Sequence, residues 1–144
     1  MAFRGHYDHS LDAKNRLSVP ARFRAALSDG LVQCRWLDPC IAIWTPDALT
    51  DFTERVVGDL NPISPRARKL LGFFAGGAFE VELDSAGRVT LNQSLLDAAG
   101  IEREVTVVGL RDHVEVWDRA RWREAQEGVV AEIERIAESL DHPS

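Results

Sequence analysis

The chain has 144 residues and a formal net charge of −6. That length is enough for one compact domain with a core and is short for two independent ones. We find no run of about eighteen apolar residues and no apolar leader, so we expect neither a membrane-spanning helix nor a signal peptide. Cys34 and Cys40 are the two cysteines. We expect both to be reduced thiols in a cytoplasmic protein.

The charge is distributed unevenly. Residues 1–36 carry six basic and three acidic side chains, a local charge of +3. Residues 124–144 carry one basic and six acidic side chains, a local charge of −5. Because local fields decide what approaches a surface, the net value does not exclude a nucleic-acid partner. A basic N-terminal part is compatible with binding a polyanion on one face.

One segment occurs twice. Residues 11–19, LDAKNRLSV, match residues 83–91, LDSAGRVTL, and the match resumes between residues 40–44 and 113–117. A unit of about forty residues cannot bury its own apolar face, so we expect the copies to pack on each other as halves of one domain. The predicted units are a first repeat, linker helices, a second repeat, and a C-terminal amphipathic helix with an acidic tail: residues 3–48, 49–76, 77–120 and 121–144.

Each repeat is predicted to contain a strand, a turn, a returning strand that forms a hairpin, a short helix and a strand pair. In the first repeat these elements are residues 3–11, 12–15, 16–19, 21–27, 31–36 and 40–44. In the second repeat, Asn92 is a good helix N-cap and Gly100 a helix end, and strands follow at residues 104–110 and 113–117.

Further helices follow each repeat. Thr45 and Pro46 form a helix start, Asp118 is a cap at the equivalent place, and a linker at residues 61–65 leads into a basic-to-apolar helix at residues 66–74. The last helix carries one apolar stripe. Its members are Trp122, Val129, Ile133, Ile136 and Leu140. Either the stripe packs on the helix after Trp44, through Leu49, Phe52 and Val56, or it packs on a neighbouring subunit.

The repeated Asp-x-x-x-Arg turn is the strongest candidate for function. Asn15 and Gly87 occupy equivalent positions, and both tolerate the left-handed backbone that a tight turn needs. The carboxylate of Asp12 or Asp84 can accept a backbone N–H within the turn. An arginine, Arg16 or Arg88, would then emerge at a fixed place beside a rigid tip.

A guanidinium at such a tip can bind phosphate or make a two-pronged contact with guanine. The candidate DNA-binding residues are Arg16, Lys14, Arg22, Arg24, Arg4 and Arg88. Alternatively, Arg16 and Arg88 are ion-paired with the aspartates and brace the turns, and Lys14 is a solvated charge. Arg22 and Arg24 are two residues apart on the predicted helix, so their side chains point to different faces. At most one of them therefore shares the surface of the tip. A second basic cluster at Arg66, Arg68 and Lys69 is better interpreted as a solvated helix face.

Catalysis and metal binding have little support. No Gly-x-Ser-x-Gly, Walker or His-Glu-x-x-His motif is present, and no Gly-Ser pair that could self-cleave. Glu80 and Glu82, near Asp84, fit the solvent side of a strand better than a catalytic pair. The four histidines form no close-spaced set with the cysteines. We therefore expect no enzyme, no cofactor and no metal site.

These motifs resemble the MraZ family, bacterial transcriptional regulators within the AbrB/SpoVT class of swapped-hairpin DNA-binding proteins. The resemblance rests on residues 3–5, 11–24, 83–88 and the Trp117-Asp118 pair followed by Trp122. Asn15 stands where the family usually has glycine, Ala2 is an extra residue, and Ala86 stands where the first repeat has Lys14. The second turn therefore has fewer cations.

The resemblance implies a mainly β (α+β) fold, an AbrB-like swapped-hairpin β-barrel in which two tandem repeats replace two subunits. It implies a ring-shaped homo-oligomer that binds short repeated boxes of double-stranded DNA upstream of a cell-division and cell-wall gene cluster. A protein of this kind would be cytoplasmic and associated with the nucleoid. The alternative is an oligomeric scaffold or antitoxin-like module that binds protein on the same barrel.

Overall fold

The chain is a mixed α+β protein with mostly antiparallel strands, seen in a computed structural model that describes residues 2–140. None of the helices in this part of the chain is long and apolar enough to cross a membrane. The described elements are β1 (His6–Ser10), β2 (Arg16–Ser18), α1 (Ala21–Leu27), β3 (Leu31–Arg35), β4 (Cys40–Trp44), α2 (Pro46–Val57), α3 (Pro65–Gly76), β5 (Ala78–Val81), β6 (Arg88–Thr90), α4 (Gln93–Ala99), β7 (Glu104–Gly109), β8 (Val114–Asp118) and α5 (Arg119–Leu140).

The two repeats exchange strands. A six-stranded antiparallel sheet has the order β1-β7-β8-β4-β3-β5, and a two-stranded ribbon pairs β2 with β6. The first strand of each repeat therefore pairs with the third strand of the other repeat. The simple hairpin expected within each repeat is wrong, because β1 and β2 pair with different strands after the turn. The swapped arrangement of two tandem repeats is confirmed.

Local sequence signals place most helix ends correctly. Helix α1 covers the predicted residues, and α4 begins after the Asn92 cap and ends at Gly100, which has φ +67°. Thr45 and Ser64 cap α2 and α3 by accepting backbone N–H groups. Strand β1 is shorter than predicted because Gly5, at φ +87°, turns the chain between it and the single bridge at Phe3.

The main core lies between the inner face of the large sheet, the ribbon, and helices α1 and α4. Leu17 from β2 and Val89 from β6 are fully buried in it. They meet inward-facing side chains of the central strands, such as Ile43 and Val116. Helices α2 and α3 cover part of the outer face, where Trp44 packs against Trp36. The ribbon is thus held to the body by apolar side chains from both repeats.

A buried polar cluster lies on the outer face of β8. Glu115 accepts hydrogen bonds from Trp117 Nε1 and His113 Nε2, both at 2.8 Å, and His113 Nδ1 lies 2.7 Å from Asp112 Oδ1. Burial acts to lower the pKa of His113, but its bonds to Glu115 and Asp112 outweigh burial and raise it. The imidazole stacks on Trp44 with the ring centroids 4.4 Å apart, so the cluster joins the two central strands.

The apolar stripe of the last helix does not pack on α2, which was one of the two arrangements considered. Phe52 of α2 packs on Trp36 and Trp44 instead of on α5. On α5, Ile133 is 51% exposed and Leu140 is 79% exposed. The prediction that the apolar stripe packs on α2 of the same chain is therefore wrong. Residues 141–144 of the acidic tail lie outside the described residues.

Strand exchange predicts that neither half folds alone as a monomer. We expect separate fragments of residues 1–76 and 77–144 to show no cooperative urea transition as monomers, because β1, β2 and β5 lack their partners. An equimolar mixture should regain a cooperative transition, followed by far-UV circular dichroism. A monomeric fragment that unfolds cooperatively would contradict the exchange.

Candidate nucleic-acid interface

The ribbon presents its two arginines on one exposed face. Arg16 lies opposite Thr90, and Ser18 lies opposite Arg88. Because side chains alternate along a strand, these four point outward and Leu17 and Val89 point into the core. Diagonal neighbours in an antiparallel pair are about 7–8 Å apart, so the two arginines form a closely spaced pair. The two turns lie at opposite ends of the ribbon.

In the first turn, the Asp12 carboxylate binds both the backbone of the turn and the side chain of Arg16. Its Oδ1 accepts the N–H groups of Lys14 and Arg16, each at 2.9 Å, and its Oδ2 lies 2.6 Å from Arg16 Nε. Asn15 adopts φ +58°, as the turn requires. The Arg16 side chain is 29% exposed, so its guanidinium is not sealed in the core. The ion pair uses Nε, which leaves the Nη groups to bind an outside acceptor.

The second turn repeats this geometry. Asp84 Oδ1 accepts the N–H groups of Ala86 and Arg88 at 2.9 Å, and Oδ2 lies 2.8 Å from Arg88 Nε. In both turns, hydrogen bonds from the arginine backbone, and then from its side chain, lower the pKa of the aspartate. For Asp12 the pKa falls to about 2. In each turn, one ion pair therefore both braces the backbone and holds the arginine on the outward face.

Each turn also contacts the short helix of the other repeat. Asn15 Nδ2 donates to Gln93 Oε1 at the start of α4, at 2.9 Å. At the second turn, Arg24 of α1 donates from Nε to the Val19 carbonyl at 2.8 Å and lies directly beside Gly87. Arg24 thus supplies the second turn with a cation where Ala86 replaces the lysine. The sequence analysis expected at most one of Arg22 and Arg24 at the first tip, whereas Arg24 lies at the tip of the other repeat.

A buried glutamine fixes the end of the ribbon. Gln33 of β3 is 3% exposed, donates to the Thr90 carbonyl at 2.9 Å and accepts the Asn92 N–H at 2.8 Å. Sequence reasoning missed it. The signal was available, because Gln33 occupies an inward position between apolar residues, and a buried amide needs hydrogen-bond partners.

The structure gathers five of the six candidate cations near the ribbon and separates the sixth. The formal charges of these five cations and of the two turn aspartates sum to +3. The five are Lys14, Arg16, Arg22, Arg24 and Arg88. Lys14 and Arg22 are exposed. Arg4 precedes β1 and adjoins Gly109, whereas the first turn follows the last residue of β1, beside Glu104. The five residues of β1 rise about 3.4 Å each, so its two ends lie roughly 15 Å apart and Arg4 is remote from the first turn.

The fold and the site define a protein of two tandem swapped-hairpin repeats with one basic ribbon. A family model described as "MraZ protein, putative antitoxin-like" matches residues 2–71 and 74–140. The two matched segments cover nearly all of the chain and fall on its two repeats. The chain belongs to the MraZ family, a regulator-type family, and the predicted family is confirmed.

The two turns should respond differently to substitution. We expect Gly87→Ala to lower the free energy of unfolding by about 2 kcal/mol, because an L-residue at φ +78° is strained. An added Cβ would also lie 2.6 Å from Arg24 Nε. Asn15→Gly, the matched change at the first turn, should stay within about 1 kcal/mol of wild type. Urea titration measures both, and equal effects would contradict the backbone strain expected at position 87.

The Asp12 brace should show a defined pH dependence. Because folding lowers the pKa of Asp12 from 3.8 to about 2, its stabilising effect is present above pH 4 and is lost as the pH falls toward 2. We expect Asp12→Asn to be less stable than wild type at pH 6 and the difference to shrink between pH 4 and pH 2. Urea midpoints across that range test this. A difference that is independent of pH would argue against the ionised brace.

Proposed function

We propose that this protein is a sequence-specific DNA-binding transcriptional regulator that uses the ribbon as its reading element. The supporting observation is the pair of braced arginines on the outward face of β2 and β6. The major groove of B-DNA admits a two-stranded β-ribbon, and arginine is the commonest side chain that reads guanine there. Within the ribbon, Arg16 and Arg88 are the base-reading candidates.

The surrounding cations would bind the phosphate backbone. Lys14 and Arg22 are exposed, and Arg24 lies beside the second turn. Phosphate contacts set the orientation of a protein on DNA, whereas contacts with base edges carry sequence information. If one subunit neutralises about four phosphates, log Kd should change with log salt with a slope of roughly 3 to 4. Arg4 lies apart and is the weakest candidate for contact.

One subunit with so few cations would bind DNA weakly, so the proposal includes a homo-oligomer, in the form of a ring. Several ribbons on one assembly could engage repeated short boxes at once, which multiplies affinity without new contacts. The boxes would lie upstream of a cell-division and cell-wall gene cluster. The protein would act in the cytoplasm, at the nucleoid, without catalysis.

A second candidate is an antitoxin-like or scaffold function through protein contacts. The exposed apolar residues on α5 favour it, because large exposed apolar patches mark interaction sites. Filter binding of promoter DNA across a salt series separates the two. A regulator loses retention steeply as salt rises, whereas a protein-binding scaffold retains little DNA at any salt.

The first turn should be essential for DNA binding. A lost bidentate guanine contact costs about 1–3 kcal/mol, so Arg16→Ala should weaken binding about 5- to 150-fold at each box engaged. Gel shifts with the upstream region, intact or with its repeated boxes scrambled, measure this. Arg55→Ala on α2 removes the same charge from an exposed site away from the ribbon and should bind normally. Wild-type affinity of a folded, oligomeric Arg16→Ala protein would overturn the proposal.

A further inference from the structure

The ribbon strand opposite Arg16 is positioned by contacts from outside the ribbon. Asp12 binds both backbone groups of Arg16: its Oδ1 accepts the Arg16 N–H at 2.9 Å, and its own N–H donates to the Arg16 carbonyl at 3.1 Å. The backbone of Arg16 is therefore directed toward the turn and away from Thr90, its partner on β6. In an antiparallel ladder such a pair is of the non-hydrogen-bonded kind, so the backbone groups of Thr90 also point away from Arg16.

Gln33 of β3 binds this segment from beneath the ribbon. Its amide donates to the Thr90 carbonyl at 2.9 Å and accepts the Asn92 N–H at 2.8 Å, so the two bonds span the point where β6 passes into α4. Beside them, the Asn15 carbonyl accepts the Leu91 N–H at 2.9 Å. Because Gln33 is 3% exposed, it lies on the inner side of the ribbon and does not face a ligand on the outward side.

The other end of the ribbon is held in a different way. Gln33 lies between β5 and β4, and the register of the strands places Val107 at the same position of the second repeat, between β1 and β8. Asn92 corresponds to Pro20, 72 positions earlier, and proline has no backbone N–H. A glutamine thus lies under the end with a backbone donor, and a valine lies under the end without one. There the exposed Arg24 donates to the backbone after β2 instead.

The position of the Arg16 end matters because base recognition has strict geometry. Side chains that recognise a ligand have to be held within about 0.5 Å of the productive arrangement by supporting contacts. Contacts with phosphate orient a protein on DNA and carry no sequence information. A loosened ribbon end would therefore affect base reading by Arg16 more than phosphate binding by Lys14 or Arg22.

We propose that Gln33 is a positioning residue for base recognition by Arg16. It fixes the end of β6 and the start of α4 beside the first turn, and it acts from the side of the ribbon opposite to the DNA. The inference rests on the proposed DNA-binding function and adds a specificity determinant to it. Loss of the amide should reduce discrimination between DNA sequences and leave the sequence-independent affinity almost unchanged.

Gel shifts measure the discrimination ratio, which is the Kd for the upstream region with scrambled boxes divided by the Kd for the intact region. We expect Gln33→Leu to lower this ratio at least about 5-fold, the low end for a bidentate guanine contact. The Kd for scrambled DNA should change less than about 2-fold. Val107→Ala is the matched control, because it removes buried volume at the equivalent place and should keep the wild-type ratio. Equal losses in the two variants would overturn the proposal.

Combined variants test whether Gln33 acts through Arg16. Adding Gln33→Leu to Arg16→Ala should lower the ratio little further, because the side chain that Gln33 positions is already absent. Adding Gln33→Leu to Arg88→Ala should lower the ratio by its full factor. A full additional loss in the Arg16→Ala background would show that Gln33 acts elsewhere.

The variant Gln33→Glu adds a readout that general destabilisation would not produce. When protonated, the introduced carboxyl can donate to Thr90 and accept from Asn92 as the amide does, but when ionised it cannot donate. Burial raises the pKa of a carboxyl, so the ratio should recover toward that of wild type at the same pH as the pH falls from about 8 to about 5. Gln33→Leu should show no recovery.

A ratio that does not depend on pH in Gln33→Glu would contradict the positioning role, and this profile is decisive if Gln33→Leu does not fold. Circular dichroism establishes which variants are folded. A wild-type protein that binds intact and scrambled boxes equally would instead reject the DNA-binding proposal. A discriminating wild type together with an equally discriminating, folded Gln33→Leu protein would reject the role of Gln33 alone.

Discussion

Strand exchange between the repeats is the constraint on which the rest of the structure depends. Each first strand pairs with the other repeat, and β2 and β6 complete a ribbon that neither repeat can form alone. Leu17 and Val89, fully buried beneath it, fix which face of the ribbon is outward. The spacing of the two arginines is therefore set by the pairing of the two halves. A shift of register by one residue would turn both guanidinium groups toward the core.

The aspartates refine this placement. An exposed arginine samples many rotamers, and ordering it upon binding costs free energy. In each turn, one carboxylate oxygen closes the backbone and the other holds Nε. Nε is thereby committed inside the turn, which leaves the Nη groups for another acceptor. The bracing role and the recognition role that the sequence left as alternatives are compatible, because they use different nitrogens of the guanidinium.

The sequence predicts features that depend on residues close together in the chain, and it misses features that depend on which strands pair. Caps at Asn92 and Thr45 gave helix starts because capping is a local hydrogen bond. The alternation of side chains is a property of one strand and does not identify the partner strand, and so a hairpin was expected. For the same reason the sequence did not show that Arg24 lies beside the turn of the other repeat.

The acidic net charge is compatible with DNA binding once the charges are placed on the fold. The five candidate cations at the ribbon and the two turn aspartates sum to +3, and residues 124–140 of α5 carry −4. Because salt screens fields beyond about 10 Å, approaching DNA would respond to the ribbons more than to the net charge.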